Sequence, residues 1–167
     1  MTTKEPTGLF DIESTRRTEL ETDITLAARH GARILITGPM DRASTIVHAI
    51  AARNYSGATQ EIVSCDAGNA DHVIATVADW ARKVPHGRPP ILWIKDVHRF
   101  GATQQAALLK MISDVARRSP VPVITSSNVD LFDRVTSGSF NADLFYCLNS
   151  IHIIAPPANR APGRPDS

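Results

Sequence analysis

Short apolar runs alternate along this chain with longer segments in which apolar residues recur every three or four positions. The runs are rich in Ile, Leu and Val and predict five strands, at residues 32–37, 61–64, 91–95, 121–125 and 151–154. The periodic segments predict helices at residues 16–30, 41–53, 70–83, 103–117 and 143–148. Because strands and helices alternate, we expect an α/β fold of three layers around a five-stranded, mainly parallel sheet.

The two ends of the chain lack this pattern. Residues 1–15 are polar and contain Pro6 and Gly8, so we expect a flexible arm there. Residues 158–167 are rich in proline and polar residues, which is typical of a disordered tail. One domain is therefore expected at residues 16–157, since 167 residues are too few for two well-built domains.

Composition excludes several classes of function. The chain has 18 basic and 17 acidic residues, so its net charge of +1 gives no electrostatic argument for a nucleic-acid or membrane surface. Its two cysteines have no metal-ligand spacing, and we expect no metal site. The N-terminus has no apolar signal core and the apolar runs are too short to span a bilayer, so we expect a cytoplasmic protein.

The first strand and helix have the layout of a phosphate-binding loop. On the pattern G-x-x-x-x-G-K-[ST], the chain places Gly38, Ala43, Ser44 and Thr45. The second glycine and the lysine, which would hold the phosphates, are replaced, and Asp41 adds a negative charge inside the loop. The motif alone favours an ordinary corner between a strand and a helix over a nucleotide site.

Three stretches together resemble one family. They are ILITGPMDRASTIVHAI with the later IVSCDAG, ILWIKDVHRFGATQQAALLKMISD, and VPVITSSNVDLFDRVTSGSFNADLFYCLNSIHIIAPP. They are similar to the AAA+ ATPase domain of sigma-54-dependent transcription activators over residues 16–160. The resemblance places Asn128 at the family's sensor asparagine, and the closing Pro156-Pro157 also agrees. It implies a P-loop NTPase-like fold.

The departures from this family fall on the catalytic positions. Lys95 and Asp96 occupy the place of its acidic pair, which holds Mg²⁺ and orients the attacking water. Asn141 and Cys147 occupy the places of its two arginine fingers, which stabilise the transition state. Since the loop lysine is also missing, we expect no catalytic residue and a pseudo-ATPase.

Two interpretations of Lys95 remain open. It could replace the missing loop lysine, so that ATP or ADP binds without metal at a vestigial site. That site would comprise Gly38, Ser44, Thr45, Lys95, Asp96 and Asn128. Alternatively, Lys95 forms an ion pair with Asp41 or Asp96 and closes an empty site.

The resemblance also indicates what to expect of the function. Residues 66–90 lack the family's sigma-contacting loop, and only ten residues follow Pro156-Pro157, so we expect neither a lid domain nor a DNA-binding domain. The first hypothesis is a regulatory module that binds a protein partner, either an AAA+ subunit or a transcription or signalling component. Whether the chain forms an oligomer is left open. The alternatives are a nucleotide sensor without hydrolysis and a weak ATPase completed in trans. Residues 104–110 also suit a clamp-loader-like relative, but residues 138–149 favour the activator family.

Overall fold

A computed structural model describes residues 8–30, 33–54, 60–83, 89–118 and 121–157. The helices are α1 (Gly8–His30), α2 (Met40–Asn54), α3 (Ala70–Lys83), α4 (Ala102–Arg118), α5 (Leu131–Thr136) and α6 (Ala142–Leu148), with a short 3-10 turn at Val97–Arg99. The strands are β1 (Ile34–Thr37), β2 (Ile62–Cys65), β3 (Ile91–Ile94), β4 (Val123–Ser127) and β5 (Ile151–Ile154). Within these residues no helix is long and apolar enough to cross a membrane.

The five strands form one sheet in the order β2-β3-β4-β1-β5, and every pair is parallel. Strands that are buried on both faces consist almost wholly of apolar residues, which explains the short Ile- and Leu-rich runs. The register pairs Ile36 with Ser126 and Trp93 with Ile124, so the carboxyl ends of the central strands lie side by side. The predicted α/β fold with a five-stranded parallel sheet is confirmed.

Alternate residues of the central strands enter two separate cores. Leu92 and Ile94 pack on the face covered by α3, α4 and α6, which we call the α4-side core. Ile91 and Trp93 pack on the opposite face beneath α1 and α2, which we call the α2-side core. This alternation follows from the period of two along a strand. It gives the three layers that the sequence predicts.

The N-terminal arm is shorter than predicted. Helix α1 begins at Gly8, so the expectation of a loose arm is wrong for residues 8–15. Residues 14–19 are exposed and need no apolar partner, because Ile24 and Ala27 anchor the same helix in the α2-side core. Their Arg and Glu side chains favour continuation of a helix that is already anchored. The rest of the predicted arm and the predicted tail at 158–167 lie outside the described residues.

Strand β4 lies two residues further along the chain than predicted. Ser126 and Ser127 belong to the strand and are buried, although serine is typical of a strand end. Ser126 is accommodated because its Oγ accepts a hydrogen bond from Trp93 Nε1 at 3.1 Å. The shift places Asn128 directly after the strand.

Candidate nucleotide site

The turn after β1 requires glycine for a packing reason. The backbone φ of Gly38 is +148°, and a Cβ added there would lie 2.7 Å from the Cβ of Ala155, in the segment after β5. The N–H of Gly38 donates to the carbonyl oxygen of Ser127 at 2.9 Å. The glycine therefore lets β1, β4 and the segment after β5 approach closely, without reference to phosphate.

The phosphate loop of the pattern is replaced by a helical turn. Helix α2 begins at Met40, and the N–H of Ala43 already donates to the carbonyl oxygen of Pro39 at 2.9 Å. Ala43, at the second glycine position, is fully buried under the sheet. A loop that binds phosphate needs free N–H groups that converge on one point. Here the amide at residue 43 is used inside the protein.

The two hydroxyl residues of the motif point to different places. The Thr45 side chain is exposed and donates to the carbonyl oxygen of Asp41 at 3.1 Å, as helical threonines often do. Ser44, by contrast, faces a cleft between α2 and the strands β2 and β3. The structure therefore does not bring Thr45 into this cleft with Lys95, because a one-residue step on a helix turns the side chain by about 100°.

The cleft has a volume of about 650 Å³. Its lining residues are Met40, Asp41, Ser44, His48, Ile62, Ser64, Trp93 and Lys95. Two of the six predicted nucleotide-site residues, Ser44 and Lys95, are among them. The cleft lies beside α2 and not across the ends of β1 and β4, where Gly38 and Asn128 are found.

Lys95 extends from the end of β3 over an aromatic ring. Its Nζ lies 4.4 Å from the centre of the Trp93 ring, a cation–π contact. The expected ion pair is wrong, since no carboxylate lies within 4.0 Å of this Nζ in the described part of the chain. His48 contacts the same ring edge-on, with centres 6.3 Å apart. Trp93 therefore holds Lys95 in the cleft without neutralising its charge.

Asp96 starts the short 3-10 turn with a left-handed backbone. Its φ and ψ are 47° and 46°, and its carbonyl oxygen accepts a hydrogen bond from Arg99 N at 2.8 Å. The side chain caps nothing and does not line the cleft. Two residues on, His98 Nδ1 lies 3.2 Å from Ser127 Oγ, and burial lowers the pKa of this histidine. The contact between His98 and Ser127 therefore links the 3-10 turn after β3 to the end of β4.

Asn128 is exposed just beyond β4. The neighbouring Ser127 hydroxyl donates to the carbonyl oxygen of Val129 at 2.7 Å and fixes the turn. Asn128 does not line the cleft with Ser44 and Lys95. The expected single site of six residues is thus divided among the cleft, the end of β1, the 3-10 turn and the end of β4.

Both finger positions are tied into the fold of their own chain. The Oδ1 of Asn141 accepts the N–H of Leu144 at 2.8 Å and caps α6. The backbone N–H of Asn141 donates to Oε1 of the buried Gln105 at 2.8 Å. Cys147 Sγ accepts a hydrogen bond from Arg33 Nη1 at 3.3 Å. An asparagine directly before a helix is a readable cap signal, whereas no sequence signal pairs Cys147 with Arg33.

The residues present do not fit a magnesium-bound nucleotide. The Thr45 hydroxyl is engaged with its own helix, and a lysine stands where the metal-binding acid would be. The described residues also contain no group of three or more His, Cys, Asp or Glu side chains that could hold a metal ion. Among the residues that line the cleft, Lys95 supplies a positive charge for an anion, and Ser44, His48 and Ser64 supply further polar groups.

The family model described as the sigma-54 interaction domain matches residues 13–157. The chain belongs to this family. The predicted resemblance is thereby confirmed, with the matched region beginning three residues before the predicted boundary.

Individual relatives of this sigma-54 interaction domain agree with the assignment. The alginate biosynthesis transcriptional regulatory protein AlgB of Pseudomonas syringae is 35% identical over 74 residues, which cover 39% of this chain and 16% of that protein. NtrX from Brucella abortus, solved with ADP, superposes with a TM-score of 0.67 at 22% identity over 93% of this chain and 38% of NtrX. The P-loop NTPase domain of an Escherichia coli sigma-54 transport activator gives a TM-score of 0.62 at 16% identity, covering 87% of this chain and 97% of that domain. These structural likenesses show the fold.

Proposed function

We propose that this sigma-54 interaction domain does not hydrolyse ATP and acts through protein contact in transcription regulation. The observation that carries the proposal is the start of α2 at Met40, which replaces the phosphate loop with a helical turn. Without that loop, the β- and γ-phosphates lack the backbone amides that hold them in P-loop enzymes.

Three further features support the loss of hydrolysis. Lys95 puts a positive charge at the sequence position that the family resemblance assigns to the metal-binding acid. Asn141 and Cys147 carry no positive charge, so neither offers a cation to a neighbouring nucleotide, and both are engaged with groups of their own chain. Arginine fingers contribute about 10³–10⁵ in rate, so their loss together with the metal acid removes the groups that stabilise the transition state.

Turnover measurements test this proposal directly. We expect phosphate release from ATP and Mg²⁺ to equal the blank for the wild-type chain and for Lys95→Ala. Adding the chain to an active family member tests completion in trans, and we expect no increase that depends on Lys95. ATP turnover by the chain that Lys95→Ala abolishes would refute the proposal.

A second candidate function is nucleotide binding without hydrolysis. The observation that favours it is the position of Lys95 and Ser44 in one cleft of about 650 Å³, a volume within the range of small-ligand sites. A ligand at 100 times its Kd adds about 2.7 kcal/mol to stability, which a thermal melt detects readily. This function predicts a higher Tm with ATP or ADP in EDTA, and loss of that shift in Lys95→Ala but not in Thr45→Ala. No shift at millimolar nucleotide rejects it.

A further inference from the structure

Two exposed aromatic residues lie on the surface made by α5 and α6. Phe132 is 54% exposed and Tyr146 is 68% exposed. Both contact the buried Phe145, with ring centres 6.1 Å and 5.4 Å away, so the two exposed rings flank one buried ring. We call Phe132, Phe145 and Tyr146 the α5–α6 aromatic patch.

The fold itself does not need the outer rings of this patch. Leu144 and Leu148 are fully buried and Phe145 is 7% exposed, so these residues attach α6 to the α4-side core. Phe132 and Tyr146 leave most of their surface in water instead. Exposed aromatic side chains that adjoin one another are enriched at protein interfaces, where they supply much of the binding energy.

The charged side chains of α5, α6 and their flanking residues are mostly negative, although Arg33 contacts Cys147 on α6. Residues 130–149 contain three acidic side chains and one basic one, all exposed: Asp130, Asp133, Asp143 and Arg134. An acidic rim repels the phosphates of nucleic acids and of anionic lipid surfaces. It attracts a partner that carries Lys or Arg beside its apolar residues.

The other two exposed large apolar residues of the described chain do not lie on surfaces that match this patch in charge. Leu26 on α1 is 46% exposed, but residues 14–29 around it carry three basic and three acidic side chains, which cancel. Ile154 on β5 is exposed as a single apolar residue. Neither surface combines apolar area with an excess of positive charge.

We propose that the α5–α6 aromatic patch docks a protein segment in which apolar side chains are flanked by Lys or Arg. This inference rests on the proposed function, since a module that acts by protein contact needs a contact surface. Phe132 and Tyr146 provide the apolar anchors, and Asp133 and Asp143 select for positive charge at the rim.

A random peptide library presented to the whole chain tests the docking surface. Peptides retained by the wild type and not by Phe132→Ala/Tyr146→Ala should combine apolar residues with Lys or Arg. For such a peptide, we expect the double variant to weaken binding at least about tenfold, as loss of interface anchors does. Leu26→Ala removes a comparably exposed apolar residue from α1 and should leave the affinity unchanged.

The charge requirement has its own variant. Asp133→Asn/Asp143→Asn should weaken the same peptide by about twofold to tenfold, with a smaller dependence on salt, because rim charges contribute modestly. Circular dichroism confirms that each variant is folded. No patch-dependent peptides, or acidic ones, would overturn the proposal.

Sedimentation measurements of the chain test whether a second copy occupies the α5–α6 aromatic patch. Self-association that the double variant abolishes would mean that a second copy covers the patch, and would also overturn the proposal. None of these measurements uses nucleotide, so a failure here is separable from a failure of the non-hydrolysing function.

Discussion

A methyl group on Gly38 would lie 2.7 Å from the Cβ atom of Ala155 and 2.9 Å from its carbonyl oxygen. The residue also has a backbone φ of +148°, which residues with a side chain rarely adopt. We expect Gly38→Ala to lower the free energy of unfolding by about 3 kcal/mol, measured by urea denaturation. Gly138→Ala is the control, because Gly138 has a φ of +78° but nothing within 4 Å of the added methyl. It should cost only about 1 kcal/mol, and equal losses would disprove the packing argument.

Asn141 gives a second test at the scale of one side chain. Its Oδ1 accepts the Leu144 N–H at the start of α6, so Asn141→Ala should cost about 1 kcal/mol of stability. Asn141→Asp keeps an acceptor at the same place and should retain nearly all of it. Chemical denaturation of both variants measures the difference. A loss as large in Asn141→Asp as in Asn141→Ala would show that the side-chain acceptor is unimportant.

Burial, assisted by the nearby charge of Asp66, raises the pKa of Cys65 from 9.0 to about 11. The folded state therefore keeps this proton at pH values where the unfolded chain releases it. Its stabilising contribution is complete below pH 9 and is lost as the pH rises toward about 11. Urea denaturation between these pH values should show stability falling more steeply for the wild type than for Cys65→Ala. Parallel curves would contradict the assignment.

Among the elements, the start of α4 and the loop before α6 are joined through one buried side chain. Gln105 donates through Nε2 to the carbonyl oxygen of Phe100 at 2.8 Å, and its Oε1 accepts the N–H of Asn141 at 2.8 Å. Gln105→Ala leaves both backbone groups without this partner, so we expect a loss of about 2–3 kcal/mol.

The adjacent Gln104 is a matched control for this connection. Its side chain also contacts the backbone, at Gly101 N in an exposed place and at Ala67 O in a part-buried one, while the side chain itself is only partly buried. Gln104→Ala should therefore cost no more than about 1 kcal/mol. Thermal or urea denaturation compares the two variants, and equal losses would mean that the Gln105 contacts do not join the elements.

The elements that sequence reasoning recovers are those with a repeating apolar pattern. Helix α3 has the predicted bounds, and α2, α4 and α6 agree within a residue at each end. Helix α5 and the 3-10 turn escape prediction because each is too short to show a helical period. Their geometry depends instead on a cap at Asp130 and on the left-handed backbone of Asp96.

The candidate site was harder to predict than the fold for a physical reason. Sequence spacing correctly places Lys95 and Ser44 at neighbouring elements and predicts a helix from residue 41, but the phosphate-loop pattern groups Thr45 with Ser44 at one site. The helix from Met40 rotates Thr45 away from Ser44, and the cation–π contact of Lys95 replaces an expected ion pair. Such contacts depend on the exact rotation of α2 over β3, which no local pattern records.

At the scale of the whole molecule, the sheet separates two apolar cores that share the same strands. Leu35 enters the α4-side core while its neighbours Ile34 and Ile36 enter the α2-side core. Neither core can lose its strands without exposing the other. This sharing predicts one cooperative unfolding transition, as is usual for a small single domain.

The two tryptophans report on the two cores separately. Trp93 is buried in the α2-side core, and Trp80 packs against the α4-side core. In Trp80→Phe the remaining Trp93 fluorescence reports on the α2-side core alone. In Trp93→Phe the remaining Trp80 fluorescence reports on the α4-side core alone. We expect the fluorescence and circular dichroism transitions to coincide within each variant, even though the Tm values of the two variants differ. Separate transitions within one variant would show that α1 and α2 unfold independently, so that the cleft containing Lys95 can open while the α5–α6 aromatic patch stays folded.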